Sequence, residues 1–423
     1  MKNYNVLMAG VFVLTLGILV IGCPSENSDD VSYTAVQTGG TSETTTSSGI
    51  ELTFSSGVTG LQASDINITG ARTGTLSGSG TKWTIVLRSV STEGNITLSI
   101  KKAGIETGAK TVAVYKKPAT GKNFEDVHYK GGSTDRDLMD IFIPTGDVIN
   151  KPINAIIEIH GGALIEGNKG GYWPHIDTYK DKFIVARMNY RYVSNEAIAT
   201  DFPSLYTGED VNVLGIVQDI RAAIAYLEQT ATEQGVFINK LIVMGGSAGA
   251  HLTLMYSYKE NIENPLIPVA FCISFSGPTD FTDVGYWGTD LVPSITDEAE
   301  TLAVLGTMYT GSPMQASDLA GFNTGNLRSD IRDKFLESSP KTYITNKVPP
   351  TIIVHSQDDA IVPFSNATYL HGRLEGLGVP NTFIDTDGLG HGLGAGLPAE
   401  YLDSTLEPRV IAAMNKYIDL YCN

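Results

Sequence analysis

The sequence predicts two architectures in series: a small all-β sandwich module, then a doubly wound, mostly parallel α/β sheet. Three observations carry that expectation. Between about residues 50 and 117, apolar and polar residues alternate with period two between glycines, and no helical pattern intervenes. After residue 121 the strands become near-continuous apolar runs separated by helical segments, as parallel strands buried on both faces require. The charge divides at the same place: residues 1–121 hold 9 Lys+Arg and 8 Asp+Glu (net +1), whereas residues 122–423 hold 20 and 38 (net −18).

Composition narrows the possibilities further. A chain of 423 residues, 42% hydrophobic and 18% charged, suffices for two or three domains and is too apolar to be disordered. Its net charge of −17 argues against nucleic acid or an anionic membrane face as the main partner, because both repel it. Three cysteines without a C-x-x-C pair exclude a disulfide framework and a zinc ribbon.

The chain opens with Lys2 and an uncharged apolar run from Val6 to Gly22, which reads as a secretory leader and is short for a membrane span. Its ending, Val20-Ile21-Gly22-Cys23, resembles the lipobox of bacterial lipoproteins. That resemblance implies cleavage after residue 22, a lipid-bearing Cys23 as mature N-terminus, and anchorage to a membrane outside the cytoplasm. Residues 23–49, rich in Ser, Thr and Gly, are expected to be a flexible tether.

In the module at 50–117, Ile50, Leu52 and Phe54 define one buried strand face. Ile66 and Ile68, then Trp83, Ile85 and Leu87, then Ile96, Leu98 and Ile100, then Val112 and Val114 repeat the period. Leu52-Thr53-Phe54-Ser55 and Leu61…Asp65-Ile66 resemble the immunoglobulin-like modules of bacterial surface lipoproteins. The module holds no catalytic cluster, so a spacer or a carbohydrate-binding role is open to it.

In the acidic part, strands are expected at 138–143, 155–159, 183–186, 240–244, 269–273, 351–354 and 383–384, with a helix over 213–227. Functional groups gather at the carboxyl ends of such strands. Gly245-Gly246-Ser247-Ala248-Gly249 is the single G-x-S-x-G, placed between a strand and a helix expected over 248–258, as in a nucleophile elbow. A serine hydroxyl needs a base to take its proton. Of seven histidines, His391 in Asp387-Gly388-Leu389-Gly390-His391-Gly392 is the expected base; His251 reads as a packed helix residue and His355 as a loop-orienting one. The imidazole in turn needs a carboxylate. Asp358 and Asp359 both follow a strand; Asp359 is the expected partner, leaving Asp358 to face solvent or cap a helix near Pro363. His160-Gly161-Gly162-Ala163 follows another strand, and the amides of Gly162, Ala163 and Ala248 are the expected donors to an oxyanion, with His160 and Gly161 supporting that loop. No metal or cofactor is called for.

These motifs together resemble the α/β-hydrolase superfamily over about residues 122–420, with chain order Ser247…Asp359…His391. Within it, His160-Gly161-Gly162-Ala163, Asn189-Tyr190-Arg191, Asp219 and His355…Asp359…Val362-Pro363 are similar to the H-G-G esterase/lipase group, including its acetyl-xylan and feruloyl esterase-like branch (BD-FAE-like). The resemblance implies a serine carboxylesterase acting through an acyl-enzyme on small or carbohydrate-linked esters, with Asp359 as the acid. Two departures stand out: Ala163, where many relatives carry a third Gly or an aromatic residue, and the more acidic loop at Gln357-Asp358. Residues 278–340 are expected to form a cap, in which Tyr286, Trp287, Met308 and Tyr309 line a pocket or pack the cap's own core. Tyr172 and Trp173 are candidates for the acyl side. Competing readings are a prolyl-oligopeptidase-like exopeptidase, which the small β module disfavours, an arylformamidase, and a surface adhesin with an inactive hydrolase fold. Nothing in the sequence dictates an oligomeric state.

Overall fold

Each central strand of the large sheet sends alternate side chains to opposite faces, and both faces are covered, which is why these strands read as unbroken apolar runs. The computed structural model describes residues 30–170, 174–286, 297–394 and 406–423. The expected leader at 1–22, Cys23, Tyr172, Trp173 and Trp287 lie outside the described residues. Among the described residues, no helix is long and apolar enough to cross a membrane.

The N-terminal module consists of β1 (Tyr33–Thr38), β2 (Gly49–Val58), β3 (Ile66–Thr69), β4 (Ala71–Val90), β5 (Gly94–Ile100) and β6 (Lys110–Val114). They form two three-stranded antiparallel sheets, ordered β1-β2-β4 and β3-β5-β6. Ile50, Leu52, Phe54, Ile85, Leu98 and Val112 meet in the core between them. One expectation fails here. The stretch up to residue 49 is not all tether, because β1 pairs with β2 from Tyr33↔Phe54 to Thr38↔Gly49. An edge strand needs only one apolar face, and Tyr33 supplies it: the ring is buried against Phe54, and its hydroxyl donates to Gly108 O at 2.8 Å. β2 provides the backbone partners that the polar surroundings could not.

The second sheet has eight strands: β7 (Asn123–His128), β8 (Leu138–Phe142), β9 (Ile153–Ile159), β10 (Ile184–Met188), β11 (Ile238–Gly246), β12 (Val269–Phe275), β13 (Thr351–Ser356) and β14 (Asn381–Thr386). Their order is β14-β13-β12-β11-β9-β10-β8-β7. The six strands β9 to β14 run parallel; β8 is antiparallel to β10, and β7 to β8. The helices are α1 (Val213–Glu233), α2 (Ala248–Met255), the single turn α3 (Asn261–Glu263), α4 (Glu298–Thr310), α5 (Ser329–Glu337), α6 (Ser365–Gly376) and α7 (Leu406–Tyr421). One face of the sheet gives Ile157, Ile159, Leu241 and Val243 to a core with Ile216, Ile220 and Ala223 of α1. The other gives Ile156, Ile242, Met244 and Phe271 to a core with Val410, Met414 and Tyr417 of α7. Each such side chain, fully buried, contributes about 1.5–3 kcal/mol.

Two helices depart from expectation. α1 runs to Glu233 rather than 227, because its buried stripe continues through Ala231 and no breaker occurs before Gly235, where φ is +70°. Its start is fixed by the Asn212 side chain, which accepts from Gly215 N at 2.9 Å. α2 stops at Met255 and widens into a π turn over Tyr256–Glu260 before α3. In the insertion between β12 and β13, Tyr286, Met308 and Tyr309 are buried in the main core. The ring of Phe281 lies 5.4 Å from that of Tyr286 and 5.1 Å from that of Tyr309. They pack, but into the core of the main sheet rather than a core of the insertion's own.

The module does not hang free of the sheet. Glu228 of α1, 2% exposed, is 3.3 Å from Arg72 Nη1 and 3.5 Å from Arg88 Nη1, and accepts from Ser89 Oγ at 3.1 Å. Arg72 also donates to the carbonyls of Ile238 and Asn239 at the start of β11 and lies over the Phe237 ring. Arg88 Nη2 reaches Leu266 O at 2.9 Å, and Lys117 Nζ reaches Glu233 O at 2.8 Å.

Candidate active site

The site sits where the strand order doubles back: β10 lies on one side of β9 and β11 on the other, which opens a crevice at their carboxyl ends. β11 delivers Ser247 directly after Gly246, and α2 begins at the next residue. Ser247 holds φ +54° and ψ −122°, a left-handed conformation that costs a non-glycine residue about 1–3 kcal/mol. Its surroundings fix that turn. Ser247 N donates to Phe275 O at 2.8 Å, and Ser247 O accepts from Ala250 N and His251 N. Glycine is required at 249, where a Cβ would overlap the carbonyl oxygens of Ile159 and His160 at the end of β9.

The loop after β14 brings His391 Nε2 to 2.8 Å from Ser247 Oγ. Its Nδ1 lies 3.0 and 2.9 Å from the two oxygens of Asp359, after β13. With Nδ1 facing a carboxylate, the assigned tautomer carries its proton there and leaves Nε2 to accept from the serine hydroxyl. The Asp359 side chain is fully buried. Burial alone pushes its carboxyl up. Hydrogen bonds from His355 and His391, with the amide of Val362, outweigh that and hold it below the ordinary carboxylate range. Oδ1 also accepts from Ile361 N and Val362 N, each at 2.9 Å.

His355 stands behind the acid. Its Nε2 is 2.9 Å from Val362 O and 3.1 Å from Asp359 Oδ2, two acceptors, so Nε2 carries the proton that both share. Asp358 is exposed, as one expectation had it, but caps no helix. It accepts from Ser356 Oγ and from Gly390 N at 3.1 Å, tying the acid loop to the backbone beside His391.

The loop after β9 has three consecutive left-handed residues: Gly162 (φ +108°), Ala163 (+48°) and Leu164 (+66°). Their carbonyls are spoken for. Gly162 O accepts from Ile165 N and Glu166 N, Leu164 O from Val193 N, and Ala163 O from Tyr309 Oη at 2.8 Å. Tyr190 Oη donates to His160 O at 2.9 Å. Among the described residues, no hydrogen bond uses the amides of Gly162, Ala163 or Ala248. His160 stacks on Tyr190 with ring centroids 4.1 Å apart, its Nδ1 lies 2.6 Å from Gly161 O, and burial pushes its pKa down to about 4, so the ring is neutral. His251 is buried in α2, stacked on Phe281, as expected of a packed residue.

Ser247, His391 and Asp359 therefore converge, with His160 and the H-G-G loop beside them. The Tyr309–Ala163 and Asp358–Gly390 bonds join positions far apart in the chain, and no local pattern announced them. Among the described residues, no group of three or more His, Cys, Asp or Glu side chains is placed to hold a metal ion.

Comparison with known proteins places this site in context. Residues 139–374 match the model of the BD-FAE family. The probable carboxylic ester hydrolase LipM of Mycobacterium tuberculosis (strain ATCC 25618 / H37Rv) is 24% identical over 221 residues, 50% of this chain; the chain spans 42% of that relative's length. Among solved structures, a truncated carbohydrate esterase from gut microbiota is similar over 69% of this chain and 96% of its own, at 19% identity and TM-score 0.48. An esterase, Est2, from the Planctomycetes species Thermogutta terrifontis covers 71% and 92%, at 18% identity and TM-score 0.47. Because the matched span exceeds half of the chain and contains the elbow, the H-G-G loop and Asp359, this chain belongs to the BD-FAE family.

Proposed function

We propose that the chain is a serine-dependent carboxylic ester hydrolase working through an acyl-enzyme. The observation that carries this reading is the unbroken relay from Ser247 Oγ through His391 to Asp359, at 2.8 and 2.9 Å. Ser247 Oγ attacks the ester carbonyl carbon while its proton passes to His391 Nε2, and Asp359 stabilises the imidazolium. The carbonyl oxygen becomes an oxyanion that the uncommitted amides of Gly162, Ala163 and Ala248 receive; such donors each contribute about 3 kcal/mol in the transition state. Collapse breaks the bond to the alcohol oxygen, which leaves with the proton from Nε2. Water, activated by the same nitrogen, then releases the acid and restores Ser247.

The substrate class is small or carbohydrate-linked esters, in line with the family. The net −18 of residues 122–423 favours neutral or cationic esters over polyanions. Ser247→Ala should lower kcat on p-nitrophenyl acetate by about 10⁴-fold or more. Undiminished turnover would sink the reading.

The enzyme works outside the cytoplasm, held to a membrane by lipid on Cys23; the apolar run Val6–Gly22 and its V-I-G-C ending support this. Labelled palmitate fed to expressing bacteria should enter the wild-type chain and not Cys23→Ala. Equal labelling of both would exclude the anchor.

A further inference from the structure

Among the described residues, the hydrolase grips the module at one end, through Arg72, Arg88, Ser89 and Lys117. The chain enters the module at its other end, where Val31 N donates to Gly104 O at 2.8 Å and Tyr33 lies opposite Phe54. From there β1 runs toward the hydrolase: Thr38 lies opposite Gly49, and Gly49 opposite Val86, two residues from Arg88. On the hydrolase side, Arg72 holds Ile238 and Asn239 at the start of β11, while Ser247 follows its last residue. Nine residues of strand place the site about 30 Å beyond the lock. The point where the chain enters is therefore at the end of the module remote from the lock, and the site at the end of the sheet remote from it.

The junction is pinned on both sides. The Glu228 side chain is 3% exposed between two guanidinium groups, and opening that contact would leave buried charge unpaired. The connecting segment is held as well, by Lys117 Nζ on Glu233 O and by Thr120 N on Gln234 O. Only residues 24–30 separate Cys23 from Val31, a reach of at most about 29 Å when fully extended. The module's far end is thus kept close to whatever surface holds Cys23.

We propose, on the lipid-anchored esterase reading, that the module is a rigid strut that points the Ser247 site away from its own membrane, so that the enzyme takes esters on water-borne molecules and not acyl lipids of the bilayer that anchors it. The full chain, purified with its lipid and reconstituted in phosphatidylcholine–phosphatidylglycerol vesicles, tests this by energy transfer to a headgroup acceptor. One donor is a fluorescent fluorophosphonate on Ser247; the other is a maleimide dye on Ser56→Cys, an exposed position near the module's far end. Transfer should be several-fold stronger from position 56 than from Ser247. An acetylated oligosaccharide should be cleaved equally fast with and without vesicles, and a diacylglycerol several-fold more slowly in those vesicles than in detergent micelles. Equal or stronger transfer from Ser247, or unimpaired cleavage of the embedded diacylglycerol, overturns the orientation. Failure of the probe to label Ser247 overturns the esterase reading instead, and failure of the protein to float with the vesicles overturns the anchor; either takes the inference with it.

Discussion

The two ends of the large sheet are built on different principles. At the carboxyl end stand five of the seven described non-glycine residues with positive φ: Ala163, Leu164, Ser247, Ser276 and Leu393. There the backbone is bent into unfavourable shapes and held by hydrogen bonds donated by Tyr309 and Val193 and by one accepted by Phe275 O. At the other end the backbone is ordinary, and position is fixed by charge: Glu228 between Arg72 and Arg88. The contrast teaches that strain collects where atoms must be aimed at a reacting group, whereas joining two bodies needs only strong, buried contacts.

If the two ends are separate devices, disturbing one should leave the other's readout alone. The largest effect belongs to Glu228→Ala, which takes the carboxylate from two partly buried guanidinium groups and should lower unfolding free energy by about 3 kcal/mol with kcat unchanged. Parallel denaturant titrations and ester assays check this, and a matching fall in kcat would merge the two ends. Acid should weaken the working end next. Burial pushes the His251 imidazole down to about 4, so below its ordinary value near 6.5 the unfolded chain takes up the proton first. Stability is therefore full above about pH 6.5 and falls by up to about 3 kcal/mol as pH drops toward 4. His251→Phe should halve the acid loss shared with His160; an identical pH slope in that variant would refute the assignment. Tyr309→Phe is the subtlest. Without the hydroxyl on Ala163 O, kcat should fall about tenfold with KM nearly constant. A change in melting temperature alone would mean that Tyr309 only packs.

The sequence made the frame of the sheet readable because strands buried on both faces cannot hide: Ala155–Ile159 and Leu241–Met244 are apolar at every position but Glu158. The elbow was readable because Gly245 and Gly249 are steric necessities next to β9. β1 was not, since Tyr33, Ala35 and an exposed Val36 in a Thr-rich stretch gain strand character only from β2. The two carboxylates at 358 and 359 look alike in sequence. The family resemblance singled out Asp359, and the fold shows why, by sending it under His391 and Asp358 to the amide of Gly390. The Glu228 lock depends on Arg72, 156 positions away, and no local pattern encodes such a contact.

Two cysteines remain in the folded chain, Cys272 on β12 and Cys422 past α7, both buried and unpaired. Burial pushes both thiols up to about 11. Oxidation and disulfide exchange proceed through the thiolate, which at neutral pH is about one part in 10⁴ of such a group. Once the chain is folded, both sulfurs are therefore poor targets for oxidation and disulfide exchange, whatever the redox poise around it.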